Sequence, residues 1–261
     1  MKIGVFQPAC GGTTLDERLR RLTAALEAQP VDLVVCPELF ASGYNVGEEL
    51  ERLAEPADGP TREAFAAIAR ATGAAILYGY PEAADGRLYN SAACVGPDGA
   101  LLANHRKRLN SPGSFEEDAF DLGDERTLFT YRDVTIGVVI CFEVELCEGV
   151  RDAALHGAQL VLAPSALVSK WDVVARKMIP TRAFENGVYL AYANHGGTEN
   201  GFTYLGESRI VGPDGRDIAV AGSGEDMLVA TLDVERVRAA QTRMPYLRNA
   251  TRLLSRAVAG H

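Results

Sequence analysis

A thiol, an ammonium and a carboxylate each follow an apolar run in this chain, and together they could carry out acyl transfer. Cys141 closes 134–140, a β-branched, almost wholly apolar stretch that reads as a strand buried on both faces. Acids follow at Glu143, Glu145 and Glu148, and a helix is expected over 149–156. At such a handover a thiol faces a cleft while backbone N–H groups of the next turn point into the same space. Those groups stabilise anions, so a lowered thiol pKa is expected. Glu38 follows Leu-Val-Val-Cys-Pro, and Lys107 follows Ala-Leu-Leu-Ala-Asn-His-Arg. A thiolate attacks a carbonyl carbon, a carboxylate moves protons and a cation stabilises the oxyanion. Each residue alone has an ordinary explanation. Free cysteine is usually a small buried hydrophobe, a strand-end glutamate sits on a solvated rim, and His105-Arg106-Lys107-Arg108 reads as a solvated basic face. Their shared placement at strand ends is the argument for chemistry.

The elements that must position them alternate. Strands are expected over 2–6, 33–36, 74–80, 90–95 and 100–104, and helices over 15–27 and 61–72, the latter capped by Thr61. Alternation of this kind argues α/β. The second half repeats the grammar of the first. Lys2-Ile-Gly-Val-Phe is echoed by Thr135-Ile-Gly-Val-Val, and Asp32-Leu-Val-Val-Cys-Pro-Glu-Leu by Gln159-Leu-Val-Leu-Ala-Pro-Ser-Ala-Leu. Ala75-Ile-Leu-Tyr-Gly-Tyr is echoed by Val188-Tyr-Leu-Ala-Tyr-Ala, and Val95-Gly-Pro-Asp-Gly by Val211-Gly-Pro-Asp-Gly. One Gly-Pro-Asp-Gly is simply good turn chemistry. A matched series in the same order implies two similar halves within a single domain over 1–261. Sheet packed on sheet with helices outside follows: a four-layer α-β-β-α sandwich with an internal pseudo-twofold repeat. The main irregular stretch is 113–124, a loop that could carry function.

Composition narrows the function classes. The net charge of −9 argues against a nucleic-acid partner. No apolar run is long enough to span a bilayer, and the start lacks a signal-peptide pattern. The five cysteines are scattered, with no Cys-x-x-Cys pair, and the four histidines do not cluster. Neither a disulfide framework nor a metal site is expected, and no cofactor is implied. A reducing cytoplasm is the expected location.

The segments Pro37-Glu38-Leu39-Phe40, Ser42-Gly43-Tyr44, His105-Arg106-Lys107 and Ile140-Cys141-Phe142-Glu143 resemble signature segments of the nitrilase superfamily of carbon–nitrogen hydrolases. So do Arg182-Ala183-Phe184-Glu185-Asn186 and Gly206-Glu207-Ser208-Arg209-Ile210-Val211-Gly212-Pro213. The likeness spans 2–233, and it implies the α-β-β-α sandwich independently of the repeat. Carried over residue by residue, it makes Glu38, Lys107 and Cys141 the catalytic triad. A further family glutamate maps to Glu116, with Glu117 as the adjacent alternative, and would orient Lys107 or the substrate. Phe142, Tyr44, Phe115 and Trp171 are the expected substrate-binding walls.

The chain also departs from the family pattern. Phe142-Glu143 stands where Tyr-Asp is usual, and Leu146-Cys147-Glu148 where Phe-Pro-Glu is usual. Cys147 is expected to be buried in the following helix. Val144-Glu145, Pro164-Ser165-Ala166-Leu167 and Met244-Pro245-Tyr246-Leu247-Arg248 resemble the small bacterial amidase branch. The implied reaction is hydrolysis of a small carboxamide to acid and ammonia through a cysteine thioester. Glu145 stands where the omega-amidase branch carries Arg, which favours an uncharged or cationic substrate over a dicarboxylate monoamide. An N-carbamoyl amide hydrolase or a nitrilase would use the same triad. An inactive scaffold should have lost a triad member, and none is missing. The resemblance further implies a homodimer or higher homo-oligomer. The tail over 242–261 carries Pro245, Tyr246, Leu253, Leu254 and Val258, and is expected to dock on a neighbouring subunit.

Overall fold

The structure is a computed structural model that describes the backbone of residues 1–11 and 13–258 and the side chains of residues 1–11 and 13–253. The apolar runs become the inner strands of two six-stranded sheets. The first half supplies β1 (Lys2–Gln7), β2 (Leu33–Val35), β3 (Ala75–Ala84), β4 (Arg87–Val95) and β5 (Leu101–Arg106). The second half supplies β6 (Thr127–Tyr131), β7 (Val134–Val138), β8 (Leu160–Pro164), β9 (Tyr189–Ala193), β10 (Arg209–Val211) and β11 (Asp217–Val220). The last strand, β12 (Asp226–Thr231), returns to the first sheet. The sheet orders are β12-β1-β2-β3-β4-β5 and β11-β10-β9-β8-β7-β6. β1, β2 and β3 run parallel, as do β7, β8 and β9. β12 pairs antiparallel to β1 just as β6 pairs antiparallel to β7. All four sequence echoes therefore fall on matching strands and turns of the two sheets.

Strand periodicity sorts the core into layers. Ile3, Val5, Leu33 and Val35 face the opposite sheet, where Ile136, Val138, Leu160 and Leu162 meet them. The alternate residues Phe6, Val34, Ile76 and Tyr78 face outward onto α1 (Leu15–Ala28) and α2 (Pro60–Thr72), through Leu22, Leu26 and Phe65. On the other side Val161, Ala163, Leu190 and Tyr192 meet α3 (Cys147–Leu155) and α4 (Ile179–Asn186), through Val150, Ala153, Ile179 and Ala183. A strand covered on both faces has no reason to alternate polar with apolar. Each fully buried Val, Leu or Ile contributes about 1.5–3 kcal/mol. This is the α-β-β-α sandwich.

Several local expectations are corrected. Thr61 does not cap α2: Gly59 holds the cap position, and Pro60 opens the helix, where its missing N–H costs nothing. The Thr61 N–H goes instead to Glu55 Oε2 at 2.7 Å. β3 runs on through Pro81 to Ala84 and returns at Arg87 through Asp85-Gly86, whose φ values of 52° and 72° suit a tight hairpin turn. The segment after Cys141 forms a single helical turn, Phe142–Glu145, before α3 begins at Cys147. Val150, Ala153 and Ala154 supply the buried face of α3, and Cys147 at its first position is exposed rather than buried.

The C-terminal segment forms α5 (Val234–Arg243) and α6 (Tyr246–Val258). The start of α6 packs on its own body: the Tyr246 ring meets Phe184 edge-on at 5.8 Å, and Leu247 joins the layer between the second sheet and its helices. Leu253 is 72% exposed. The side chains of Leu254 and Val258 lie outside the described residues.

One glycine sets the position of the first strand-end turn. A Cβ on Gly79 would lie 2.3 Å from Leu39 N and 2.7 Å from Pro37 O. The turn carrying Glu38 therefore lies flat against β3, with Ala41 N–H donating to Gly79 O at 2.9 Å. Gly79→Ala should displace that turn, destabilise the fold by about 1–3 kcal/mol as overpacked sites do, and lower activity with it. Thermal unfolding and turnover of the same preparation check this.

Candidate active site

Glu38, Lys107, Glu116 and Cys141 reach one place from three strand ends and a loop. Glu38 follows β2, Lys107 follows β5, Cys141 lies just beyond β7, and Glu116 opens the four-residue helix Glu116–Ala119 inside the irregular stretch. Lys107 Nζ donates to Glu38 Oε1 at 2.7 Å and to Glu116 Oε2 at 2.6 Å. All three side chains are fully buried. Asn90 Nδ2 also donates to Glu38 Oε1, at 2.7 Å. The other oxygen, Glu38 Oε2, is buried and has no hydrogen-bond partner. The Cys141 thiol neighbours the Glu38 carboxylate and weakly opposes the rise that burial gives its pKa. Glu117 is exposed and accepts from Gly113 N at 2.9 Å, so Glu116 is the acid that meets Lys107.

The backbone turns at both reacting ends are sharp. Cys141 has φ 46° and ψ −106°, and Leu39, next to Glu38, has φ 49°. Non-glycine residues rarely adopt positive φ, and they persist there only when the surroundings impose it. At Cys141 the surroundings are hydrogen bonds: its N–H donates to Pro164 O at 2.9 Å and its carbonyl accepts from Val144 N at 2.9 Å. Glu143 N–H goes to Ile140 O at 3.0 Å. Among the described residues no such backbone bond takes the Phe142 N–H, so that donor stays available beside the thiol.

Electrostatics differ from the expectation at the thiol. Burial, then the charge of Glu38, push the Cys141 thiol well up, against the opposing pull of Lys107. A one-turn helix offers too little dipole to reverse this. An upward shift of this kind favours the neutral thiol at Cys141. Burial also raises the Glu38 pKa, Lys107 lowers it in opposition, and the nearby Glu116 charge adds to the rise. Burial alone would lower Lys107, but Glu38 and Glu116 overcome it and hold the ammonium above its ordinary value. Burial would raise Glu116, but Lys107, Tyr44 and Ser111 N–H together hold it low. Tyr44 is raised by burial and by these carboxylates, so it stays a phenol and donates to Glu116 Oε1 at 2.6 Å.

The expected walls separate. The rings of Tyr44 and Phe115 meet edge-on at 5.1 Å over Glu116, and Phe142 is half-buried next to Cys141. Trp171 is 52% exposed on the short turn Ser169–Trp171, with the Lys170 ammonium 5.2 Å from its ring.

Several supporting residues were missed by the sequence reading. Glu143 is buried two residues after Cys141, where Oε2 accepts from Ile140 N at 2.7 Å and pairs with His105 Nε2 at 2.9 Å. Its Oε1 accepts from Arg108 Nε at 3.1 Å. It thus ties the strand that leads to Cys141 to His105 and Arg108, which flank Lys107 in the chain. His195 Nε2 donates to Glu38 O at 2.7 Å, and Nδ1 meets Cys10 Sγ at 2.9 Å. Burial lowers the His195 pKa to about 4, so this ring is neutral and serves as a brace. Arg182 on α4 donates to Val144 O and Glu145 O, at 3.2 and 2.5 Å. The available signal was the unusual Glu143 and the polar Asn90 within an apolar strand, but only the packing assigns their partners.

Comparison with known proteins agrees with this geometry. Residues 2–242 match the carbon–nitrogen hydrolase family. The chain is 43% identical over 239 residues to a hydrolase of the pqqF 5′ region in Pseudomonas protegens, covering 89% of this chain and 83% of that one. It is 34% identical over 258 residues to an (R)-stereoselective amidase of a Pseudomonas species, covering 98% and 93% of the two chains. A glutamate-to-glutamine mutant of the amidase from Nesterenkonia sp. AN1 superposes with a TM-score of 0.87 at 29% identity, covering 98% of this chain and 96% of that one. That mutant carries the acetamide moiety of fluoroacetamide covalently added at its active-site cysteine. The chain belongs to the carbon–nitrogen hydrolase family, and within the nitrilase superfamily it falls in the amidase branch.

Glu143→Ala should cost about 3–5 kcal/mol, because it strands buried partners around Cys141 and Lys107. Burial acts to raise the Glu143 pKa, but His105, Ile140 N–H and Arg108 overcome it and leave it depressed. A depressed folded-state pKa contributes stability above the ordinary carboxylate range and loses it as pH falls through the depressed value. Denaturant midpoints from neutral to acidic pH should therefore converge for parent and variant at the acid end.

Proposed function

We propose that this protein is an amidase that hydrolyses a small carboxamide to a carboxylic acid and ammonia through a thioester on Cys141. The observation that carries the reading is a buried Glu38 carboxylate that neighbours the Cys141 thiol and keeps its Oε2 unpartnered, with Lys107 fixed between Glu38 and Glu116. Glu38 takes the thiol proton as sulfur attacks the amide carbon. An ammonium has three donors. Two of those on Lys107 are committed to carboxylates, and the third, with the Phe142 N–H, meets the oxyanion. Losing one such donor costs about 2.7–4 kcal/mol in the barrier. The C–N bond then breaks, and Glu38 returns the proton to the departing ammonia. Water, deprotonated by Glu38, attacks the thioester, and the acid leaves as the thiol is restored. Positioned proton transfer of this kind contributes roughly 10²–10⁴-fold. Glu116 and Tyr44 orient Lys107, and Phe142, Tyr44 and Phe115 line the substrate.

Glu145 supports a substrate without negative charge. It is half-buried one turn after Cys141, with no hydrogen bond or ion pair on its carboxylate among the described residues. Burial raises its pKa, and Lys107 is the one charge that opposes the rise. A dicarboxylate monoamide would bring a second anion to this unpaired acid.

The setting we propose is a cytoplasmic homodimer. All five cysteines are free, which suits a reducing compartment. Among the described residues no helix is long and apolar enough to cross a membrane. The exposed Leu253 on α6 suits contact with a second copy. Monomers at micromolar concentration in sedimentation would contradict the dimer.

The test is ammonia release over short aliphatic amides, amino-acid amides, N-carbamoyl amines and nitriles, with Cys141→Ala alongside. Amide turnover that vanishes in Cys141→Ala is the expected result. Turnover at the parent rate in that variant would sink the mechanism, and turnover confined to carbamoyl compounds or nitriles would move the substrate. Because only ionised Glu38 accepts the thiol proton, kcat/KM should fall with acidification at a pH above the ordinary carboxylate range. Glu145→Gln should improve kcat/KM for a dicarboxylate monoamide relative to a neutral amide.

A further inference from the structure

The segment Ser42-Gly43-Tyr44 has no reacting group of its own, yet it presents Tyr44 to Glu116. Its backbone is held from the other half of the chain. Glu199 lies on the short strand Gly196–Glu199, which pairs with Ala9–Cys10 and Phe202–Thr203 in a small third sheet. Its buried Oε2 accepts from Tyr44 N at 3.0 Å, Asn45 N at 2.9 Å and Tyr204 OH at 2.8 Å. Its Oε1 lies 3.8 Å from Arg18 Nη2. Arg18 in turn donates to Ala41 O at 3.0 Å and Phe40 O at 3.3 Å. The N–H side of the loop is thus fixed by an acid and the carbonyl side by a base. Gly43 makes the approach feasible: its φ is +93°, and a Cβ there would lie 2.5 Å from Glu199 Oε1.

We propose that Glu199 is a positioning residue for the reaction, acting through Tyr44 on Glu116 and so on Lys107. The links are continuous. Glu199 fixes the Tyr44 backbone, the Tyr44 hydroxyl donates to Glu116 Oε1 at 2.6 Å, and Glu116 Oε2 accepts from Lys107 at 2.6 Å. The Lys107 ammonium has one donor left for the oxyanion, so its direction is set by the two carboxylates that hold the others. Releasing Tyr44 frees Glu116 to turn, and the ammonium turns with it. A displacement of about 1 Å at a reacting group can cost on the order of a hundredfold in rate. The same release moves one substrate wall, because Tyr44 packs against Phe115.

This inference rests on the amidase reading. It is tested by a double-mutant cycle on Glu199→Ala and Tyr44→Phe, with Glu199→Gln as the conservative variant. Turnover is measured as kcat and KM for the amide the parent hydrolyses, and Cys141 reactivity as mass gain with fluoroacetamide. Glu199→Ala should lower kcat by roughly tenfold or more, Glu199→Gln by less, and Glu199→Ala should add little once Tyr44→Phe is present. If Glu199→Ala fails to fold, Glu199→Gln takes its place in the cycle. A purely structural acid would lower thermal stability equally in both backgrounds and leave kcat of the folded fraction unchanged. That result, or additive losses in kcat, would overturn the positioning role alone. A parent inert to both amides and fluoroacetamide would overturn the amidase reading and the positioning role together.

Discussion

An ammonium buried between two carboxylates is the constraint on which the rest of the site depends. Lys107 is fully enclosed, and an isolated charge there would be prohibitively costly. Two acids more than neutralise it, which leaves one excess negative charge to be accommodated. Asn90 accommodates part of it at Glu38, and Tyr44 with the Ser111 N–H does so at Glu116. The two acids are therefore unequal. Glu116 is held ionised by its donors, while Glu38 keeps a raised pKa and one free oxygen. Unequal environments of this kind are what sets two nearby acids to different protonation behaviour. Replacing a buried charged group by well-packed apolar residues is often neutral in stability, so the group is poor evidence of a stabilising role.

The pseudo-twofold scaffold carries a site that is not symmetric. The repeat aligns Glu38 with Ser165 and Cys141 with Pro8. One corner of the sandwich therefore holds the glutamate and the cysteine, while its mate holds Ser165 and Pro8. Parallel strands deliver this arrangement because their C-terminal ends lie on one edge of each sheet. Glu38 and Lys107 leave the first sheet, Cys141 leaves the second, and face-to-face packing brings the edges together. Rigid strands hold the groups, and the turns beyond them supply the exact directions. The positive φ values at Leu39 and Cys141 show that those turns are imposed by their surroundings rather than preferred locally.

A ring of buried polar contacts does the imposing. Glu143 braces the nucleophile strand against the Lys107 segment, His195 holds the Glu38 carbonyl, and Arg182 holds the carbonyls after Cys141. Each brace joins residues more than thirty positions apart in the chain, except the short Glu143–Ile140 link. A low-dielectric setting strengthens such bonds when every group is satisfied, and it penalises any that is not. The raised thiol pKa of Cys141 follows from the same enclosure. Burial that sharpens the electrostatics around Lys107 also denies a thiolate its solvent.

The sequence by itself determined the layers, the repeat and the candidate reacting groups. Runs such as 134–140 are apolar on both faces because both faces are covered, and that pattern survives without coordinates. Glu38, Lys107 and Cys141 stood out because polar residues directly after such runs must lie at strand ends, and the signature segments named the same three. The sequence left other matters open or wrong because they depend on partners distant along the chain. Glu116 and Glu117 are chemically alike, and only the direction of a four-residue helix separates the acid that meets Lys107 from the one left in solvent. The exposure of Trp171 was equally illegible, since a turn's facing is set by what it packs against. Cys147 was expected to be buried, but it opens the helix on its exposed side, which the sequence does not show. The expected lowering of the Cys141 pKa failed because a helix terminus acts locally, whereas desolvation is a property of the whole enclosure. Glu199 and His195 gave no sequence signal at all, because a hydrogen bond across more than 150 residues is decided only when the two sheets close on each other.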